Sequence, residues 1–280
     1  MKPPIGRDTR LCMSLSARPG NAGSRLHNHL YDVLGLDYVY KSFSTTDLPA
    51  AIAGIRALGV RGCAISMPFK EAVIPLIDAL EPSARAIDSV NTIVNDDGVL
   101  TGYNTDYVAV RDLLARRGID PAMRFILRGS GGMAKAVTAA LRDLGVQDGL
   151  IVARNAAAGK ALADRYGYRW QADLPSTGAP LIINVTPLGM EGPDSAAMAF
   201  PDRFVADCAL AFDVVAMPAD TPFIRAAQDA GKPIISGAEV VVLQAVEQFV
   251  LYTGIRPPIA AIRAAADVAH GPGVGDRIMD

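Results

Sequence analysis

The sequence predicts an α/β protein of two domains, and three observations carry that prediction. The chain has 280 residues, long enough for two cores at about 100–200 residues per domain. From Arg124 onward, apolar strands alternate with helices in a regular beat of strand, turn and helix, the pattern of a parallel sheet. Before Arg124 the alternation is less regular and contains an Asp-Gly hairpin, so the N-terminal part is an α/β unit of a different design.

The elements follow in order. "YVYKSF" (38–43) reads as a strand, and "STTDLPAAIAGIRAL" places capping residues ahead of an amphipathic helix. "RGCAIS" (61–66) is the next strand, and "KEAVIPLIDAL" (70–80) a short helix disturbed by its proline. "NTIVNDDGVLTGY" gives two strands around a turn, and "TDYVAVRDLLARRG" a capped helix ending at Gly118. "RFILRG", "GLIVARN", "PLIINVT", "LAFDVVA" and "KPIIS" are strands of the second part. "GMAKAVTAALRDLG", "AAAGKALADRYG" and "TPFIRAAQDAG" are its helices, "YGYRW" packs at its edge, and "AEVVVLQAVEQFVLYTG" closes the chain as a long helix. The tail "HGPGVGDRIMD" is expected to fray. The expected division is residues 1–105 and 106–237, with a closing helix 238–270 that packs back on the first domain.

Composition excludes several classes. Half the residues are apolar and the net charge is −2, which gives no footprint for nucleic acid or an anionic membrane. No apolar run approaches the roughly 18 residues of a bilayer span. The opening "MKPPIGRDTRLCMS" has no apolar signal-peptide core. Cys12, Cys63 and Cys208 are far apart and read as small buried hydrophobes in a reduced, cytoplasmic setting. His27, His29 and His270 form no ligand pattern, so no metal site is expected.

"LRGSGGMAKAV" puts Gly129, Gly131 and Ala134 in G-x-G-x-x-A spacing between a strand and a helix. The first glycine permits the tight turn, the second admits a pyrophosphate to the backbone, and Ala134 lets the helix close on the sheet. An ordinary βα turn is the competing reading, but the strand-turn-helix context favours dinucleotide binding. A site for NAD would place an acid about 20 residues later. Here "VARNAAAGK" offers Arg154, Asn155 and Lys160, with no carboxylate before Asp164, which favours NADP over NAD.

A nicotinamide half calls for a partner that handles the proton. Lys70 follows a strand end, where α/β sheets present ligand-binding groups, and Asp106 in "YNTDYVAV" is the candidate carboxylate beside it. By spacing alone, Asp106 and Thr105 are equally readable as the N-cap of the following helix, and Lys70 as a solvated residue.

Seven stretches resemble the shikimate dehydrogenase family, in its order: "SMPFK" (66–70), "SVNTIV" (89–94), "YNTD" (103–106), "GSGGMAKAV" (129–137), "INVTPLGM" (183–190), "TPFI" (221–224) and "LQAVEQF" (243–249). The resemblance runs from Ser14 to about Pro257 and is closest to the shikimate dehydrogenase-like branch, which shares "SLSARP…HN" and "AFDVVAMP". It implies an N-terminal α/β substrate domain and a Rossmann-like NADP-binding domain with a cleft between them. The implied activity is a cytoplasmic oxidoreductase of aromatic amino acid biosynthesis, the chorismate pathway, interconverting shikimate and 3-dehydroshikimate. Lys70 and Asp106 match its catalytic pair. Ser14 and Ser16 match groups on the substrate carboxylate, Ser66 is a substrate-binding position where the family often has a threonine, and Asn91, Asp106 and Gln244 match groups on the ring hydroxyls. Gly129, Gly131, Gly132, Arg154, Asn155, Asn184, Thr186 and Gly237 fall at cofactor positions. A small polyhydroxylated cyclic acid is the expected partner of a monomer or homodimer.

The departures from the family are local. The stretch between Ser16 and His27 is longer, an expected loop over 17–26 that brings in Arg18 and Arg25. Ala216 stands where the family has a tyrosine, and Glu239 and Val240 replace a glycine and methionine near the nicotinamide. Arg18 is therefore expected to take part in holding the substrate carboxylate. Quinate or an amino analogue is the alternative substrate. A non-catalytic metabolite or NADP sensor is the alternative class, disfavoured by the presence of both Lys70 and Asp106.

Overall fold

A computed structural model describes residues 2–278. In chain order the elements are β1 (Arg10–Ser16), α1 (Ala22–Val33), β2 (Tyr38–Ser44), α2 (Leu48–Ala57), β3 (Gly62–Ile65), α3 (Phe69–Ala72), β4 (Ala79–Leu80), α4 (Pro82–Ile87), β5 (Thr92–Asp96), β6 (Val99–Tyr103) and α5 (Thr105–Arg116). There follow β7 (Phe125–Arg128), α6 (Gly132–Asp143), β8 (Gly149–Val152), α7 (Ala156–Tyr166), β9 (Arg169–Gln171), β10 (Leu181–Asn184), α8 (Asp202–Asp207), β11 (Leu210–Asp213), α9 (Pro222–Asp229), β12 (Ile234–Ile235), α10 (Gly237–Thr253) and α11 (Ile259–His270). Two compact units result. One runs to Val108 and resumes at Val242; the other is Ala109–Val241, so the chain crosses between them inside α5 and α10.

The first unit holds a six-stranded sheet in the order β2-β1-β3-β5-β6-β4. Strands β2, β1 and β3 are parallel, whereas β5 runs antiparallel to both β3 and β6. The chain moves from β1 outward to β2, then returns to the other side of β1 for β3. That reversal makes a topological switch point between β1 and β3, where open α/β sheets bind ligands beyond the strands' C-terminal ends. Because β5 is antiparallel, its start faces the end of β3: Ala64 pairs with Thr92, and Thr92 with Tyr103 at the end of β6. Four segments, β1, β3, β5 and β6, thus converge on one edge.

The core of this unit joins Met13, Leu15, Ile52, Ile55, Ile65, Val73 and Ile93. The later part of α10 belongs to it: a Cβ on Gly62 would lie 2.1 Å from the Tyr252 ring, so β3 needs glycine where this helix packs. Around it, His27 stacks on Tyr40 at 4.4 Å between ring centroids, with Tyr31 and Phe249 adjoining. Burial pushes the His27 imidazole down to about 3, the neighbouring Gln248 amide opposing the shift.

The second unit is an all-parallel sheet in the order β12-β11-β10-β7-β8-β9, the doubly wound Rossmann arrangement. Its central strands β7, β10 and β11 are buried almost throughout, as their apolar runs require. Trp170 lies in the edge strand β9, donating to the Ala153 carbonyl, and closes over Gly159. Its switch point lies between β7 and β10.

Several expectations need correction. The 17–26 loop is five residues long, because α1 starts at Ala22 and sets Leu26, His27, Leu30 and Tyr31 as one buried stripe. The 70–80 helix is a single turn, α3, then a 3₁₀ turn over Ile74–Leu76 and the short β4; Pro75 has no N–H to continue a helix. The 238–270 helix is two helices, broken before Pro257 and Pro258. The tail is anchored through Ile278: Gly275 donates to Asp267, and Arg263 to the Ile278 carbonyl. Met279 and Asp280 of that stretch lie outside the described residues.

Candidate functional site

Lys70 and Asp106, 36 residues apart, form an ion pair of 2.7 Å at the switch-point edge of the first sheet. β3 ends at Ile65, and Ser66 turns the chain by accepting from Phe69 N, which starts α3. Val73 is fully buried beneath α3, and the Lys70 carbonyl accepts from Val90 N at 2.8 Å. The lysine backbone is thereby fixed while its side chain stays 30% exposed; Asp106 is 13% exposed.

The reading of Asp106 as a helix cap is overturned. Asn104 takes that position, accepting from Tyr107 N at 2.9 Å and donating to the Ser89 carbonyl. Asp106 is released into the first turn of α5, where a carboxylate also suits the helix dipole. It accepts the lysine ammonium in a charge-assisted hydrogen bond.

Beneath the pair is a buried polar network. Asn91 Oδ1 accepts from Thr105 N and from Thr92 Oγ1, both at 2.8 Å, and its Nδ2 donates to Thr105 Oγ1 at 2.9 Å. Thr105 Oγ1 lies 3.3 Å from Gln244 Oε1, and Gln248 Nε2 donates to Thr92 Oγ1 at 3.1 Å. Of these, Asn91 and Gln244 belong to the expected set; Thr92, Thr105 and Gln248 were missed. Gln248 follows Gln244 by one helical turn, a spacing that was available as a signal.

Ser14 and Ser16 stand at the end of β1, across the same switch point from Lys70. Ser16 is buried, and the Ser14 hydroxyl lies against the buried Tyr40 phenol, opposing the upward push of burial on that group. Ser66 is exposed, as is Arg18 on the loop after β1. The first unit therefore collects two serines, two amides, a lysine and an aspartate on one edge, a set able to hold hydroxyls and move a proton.

The second unit offers a different kind of site. Gly129 has φ +123°, and a Cβ there would lie 2.8 Å from Val185, so only glycine suits the turn. Above Gly131 and Gly132 a Cβ would meet nothing within 4 Å, leaving a cradle over the start of α6. That helix has no side-chain cap and no acid in its first turn, and Ala134 is fully buried against the sheet. The donors at its start suit a pyrophosphate, so the residues present fit a dinucleotide. Arg154 follows β8 and is exposed.

Four of the expected cofactor residues make structural contacts within the unit. Asn184 is fully buried; its amide donates to Asp213 and Leu188 while its oxygen accepts from Thr186 N and Oγ1. Thr186 is the partner in that loop. Asn155 caps α7, accepting from Ala158 N at 3.1 Å. Gly237 is required because a Cβ would fall 2.3 Å from the Val215 backbone. Glu239 turns inward to Ser236 N and Oγ and to Arg117 at 3.0 Å, a capping box joined to a buried ion pair. Sequence reasoning passed over Asp213, which accepts from Asn184, Val215 N and Thr221 and holds the loops after β10 and β11. Among the described residues, no group of side chains could hold a metal ion, and no helix is long and apolar enough to cross a membrane.

A shikimate dehydrogenase-like protein of Haemophilus influenzae is 53% identical over 267 residues, 95% of this chain and 98% of its own. The chain belongs to the shikimate dehydrogenase family. Residues 22–93 match that family's substrate binding domain. The shikimate dehydrogenase (NADP(+)) of Oleidesulfovibrio alaskensis is 37% identical, over 85% of this chain and 88% of its own. The solved shikimate 5-dehydrogenase of Thermus thermophilus, in complex with NADP(H) and shikimate, superposes with a TM-score of 0.83 at 28% identity, covering 93% of this chain and 99% of that one.

Proposed function

We propose that the protein is an NADP-dependent oxidoreductase that interconverts shikimate and 3-dehydroshikimate. The observation that carries this reading is the 2.7 Å Lys70–Asp106 pair at the first sheet's switch point, within a family whose relatives bear that activity in their names.

In the reducing direction the Lys70 ammonium donates a proton to the oxygen that was the ketone, as hydride reaches its carbon. In the oxidising direction the pair takes the hydroxyl proton back. Asp106 holds and orients the ammonium by its hydrogen bond. Ser14 and Ser16 receive the carboxylate, and Asn91 and Gln244 the ring hydroxyls; a site built for hydroxyls rejects analogues that lack them. The backbone at Gly129, Gly131 and Gly132 and the start of α6 would hold the pyrophosphate, and Arg154 the 2′-phosphate. Bound there, NADP supplies the hydride acceptor or donor. Arg18 takes a share of the carboxylate in place of the tyrosine replaced by Ala216.

Initial rates of nucleotide reduction test this, with shikimate and quinate each offered against NADP and NAD. Shikimate with NADP is expected to be the fastest pair, with Lys70→Ala silent. Quinate as the faster acid would move the assignment to that substrate. No turnover with any pair, from protein that binds NADP, would sink the catalytic reading.

A further inference from the structure

We propose that Gln248 is a positioning residue that acts through Thr92 to fix the direction of the hydrogen bonds Asn91 and Thr105 present at the Lys70–Asp106 site. The inference rests on the function proposed above for that site and adds a residue to it.

Two backbone groups set the polarity of the network. The Asn91 carbonyl can only accept, and Gln248 Nε2 lies 3.4 Å from it, so the nitrogen of the Gln248 amide faces inward. That nitrogen therefore donates to Thr92 Oγ1 at 3.1 Å. A hydroxyl has one proton, and the Thr92 proton goes to Asn91 Oδ1 at 2.8 Å. At the other end the Thr105 N–H can only donate, and it too lies 2.8 Å from Asn91 Oδ1. With two short bonds on its oxygen, Asn91 must turn its nitrogen to Thr105 Oγ1 at 2.9 Å. Thr105 Oγ1 also lies 3.2 Å from Asn91 Oδ1 and 3.4 Å from Thr92 Oγ1. The Asn91 oxygen already accepts two bonds of 2.8 Å and the Thr92 proton is committed to it, so the Thr105 proton is directed outward to Gln244 Oε1 at 3.3 Å.

The result is a one-way relay from Gln248 through Thr92, Asn91 and Thr105 to Gln244. Asn91, Thr92 and Thr105 are at most 3% exposed and Gln248 is 5% exposed, so water does not randomise the order. Thr105 precedes Asp106 in the chain and begins α5, so the same bonds fix the backbone from which the carboxylate projects. On the function proposed above, a ring hydroxyl would accept from the Asn91 amide nitrogen and keep its own proton for the Lys70–Asp106 pair. Gln248 itself does not touch the reacting atoms.

The test compares Gln248→Met, which keeps bulk and loses the donor, with Thr92→Val, Thr92→Ser and the double variant Gln248→Met/Thr92→Val. Loss of one buried bond is expected to raise KM for shikimate on the order of fivefold to tenfold, with a smaller fall in kcat. Thr92→Ser should restore the wild-type value, and the double variant should be no worse than Thr92→Val, because the bonds are in series. Falling thermal stability with unchanged KM, or additive losses in the double variant, would overturn the proposal and leave Gln248 a packing residue. The side-chain amide resonances of Asn91 and Gln248 provide a readout independent of turnover. Thr92→Val should speed hydrogen exchange at the Asn91 amide; no change there refutes the relay. Wild-type protein inactive on shikimate would refute the assigned reaction while that exchange measurement still decides the relay.

Discussion

Both units offer a candidate site at the switch point of an open sheet, yet they build it from opposite materials. The first uses side chains that four segments bring to one edge: Lys70 after β3, Asn91 before β5, Asp106 after β6 and the serines of β1. The second offers bare backbone at Gly129, Gly131 and Gly132, the arrangement that would admit a phosphate. A site made of side chains fails when a group is removed; one made of backbone fails when a group is added.

The largest effect should come from removal in the first unit. Lys70→Ala takes away the proposed proton donor and the Asp106 ion pair, so turnover is expected to fall by about 10²–10⁴-fold. Nucleotide binding, measured by fluorescence titration, should be unchanged. A fall in both would mean the two sites are not built independently.

Addition in the second unit should rank next. Gly129→Ala puts a Cβ 2.8 Å from Val185 at φ +123°, and such backbone strain costs about 1–3 kcal/mol. Either the turn reshapes and nucleotide affinity drops, or the turn holds and stability drops. Wild-type values of both would show that the turn is not tight. Gly131→Ala, where a Cβ meets nothing, should leave stability unchanged and act on affinity alone.

The backbone site nevertheless stands on a hidden side chain. Burial pushes the Asp213 carboxyl up to about 6, against the bonds from Thr221, Val215 N and Asn184 that favour its charge. Its folded value is above the unfolded one, so the folded state takes up a proton as pH falls from about 6 towards 4. Asp213 therefore adds stability below that window that is lost as pH rises through about 6. Against Asp213→Asn, which cannot titrate, wild type should gain a few degrees in Tm between pH 6 and pH 4.5. Parallel profiles would mean Asp213 is not titrating there.

The same contrast explains what was legible in the sequence. The glycine turn and the strands of the second unit are local patterns, and each apolar run became the strand it resembled. The first unit depends on distant partners. β1 mixes cysteine, methionine and serine and reads as a strand only once β2 and β3 flank it. Residues 20–24 have the composition of a turn, yet Leu26 and Leu30 draw 22–24 into α1. Lys70 and Asp106 could be named from resemblance, but their contact could not be separated from helix capping until Asn104 was seen in the cap. Thr92 and Gln248 are 156 residues apart, and no local pattern joins them.

Arg154 is the exception in the second unit, a side chain in a site otherwise made of backbone, and its removal should have the smallest and most selective effect. It follows β8 on the exposed side, while its neighbour Asn155 is committed to capping α7. Lys160 lies over the Trp170 ring at 5.0 Å, a cation–π contact that holds it at the β9 edge. Arg154 is thus the cation best placed to meet a 2′-phosphate with its planar donors. Exposure to solvent keeps the interaction modest, so Arg154→Ala should weaken NADP binding on the order of tenfold, the worth of one charge-assisted bond. Affinity for NAD should not change, because the glycine turn meets the pyrophosphate common to both. Equal losses for the two nucleotides would place Arg154 at the pyrophosphate instead. No loss for either would shift the selection of NADP to another cation, with half-buried Arg128 at the end of β7, whose charge burial and then the nearby Arg154 oppose, the next to replace.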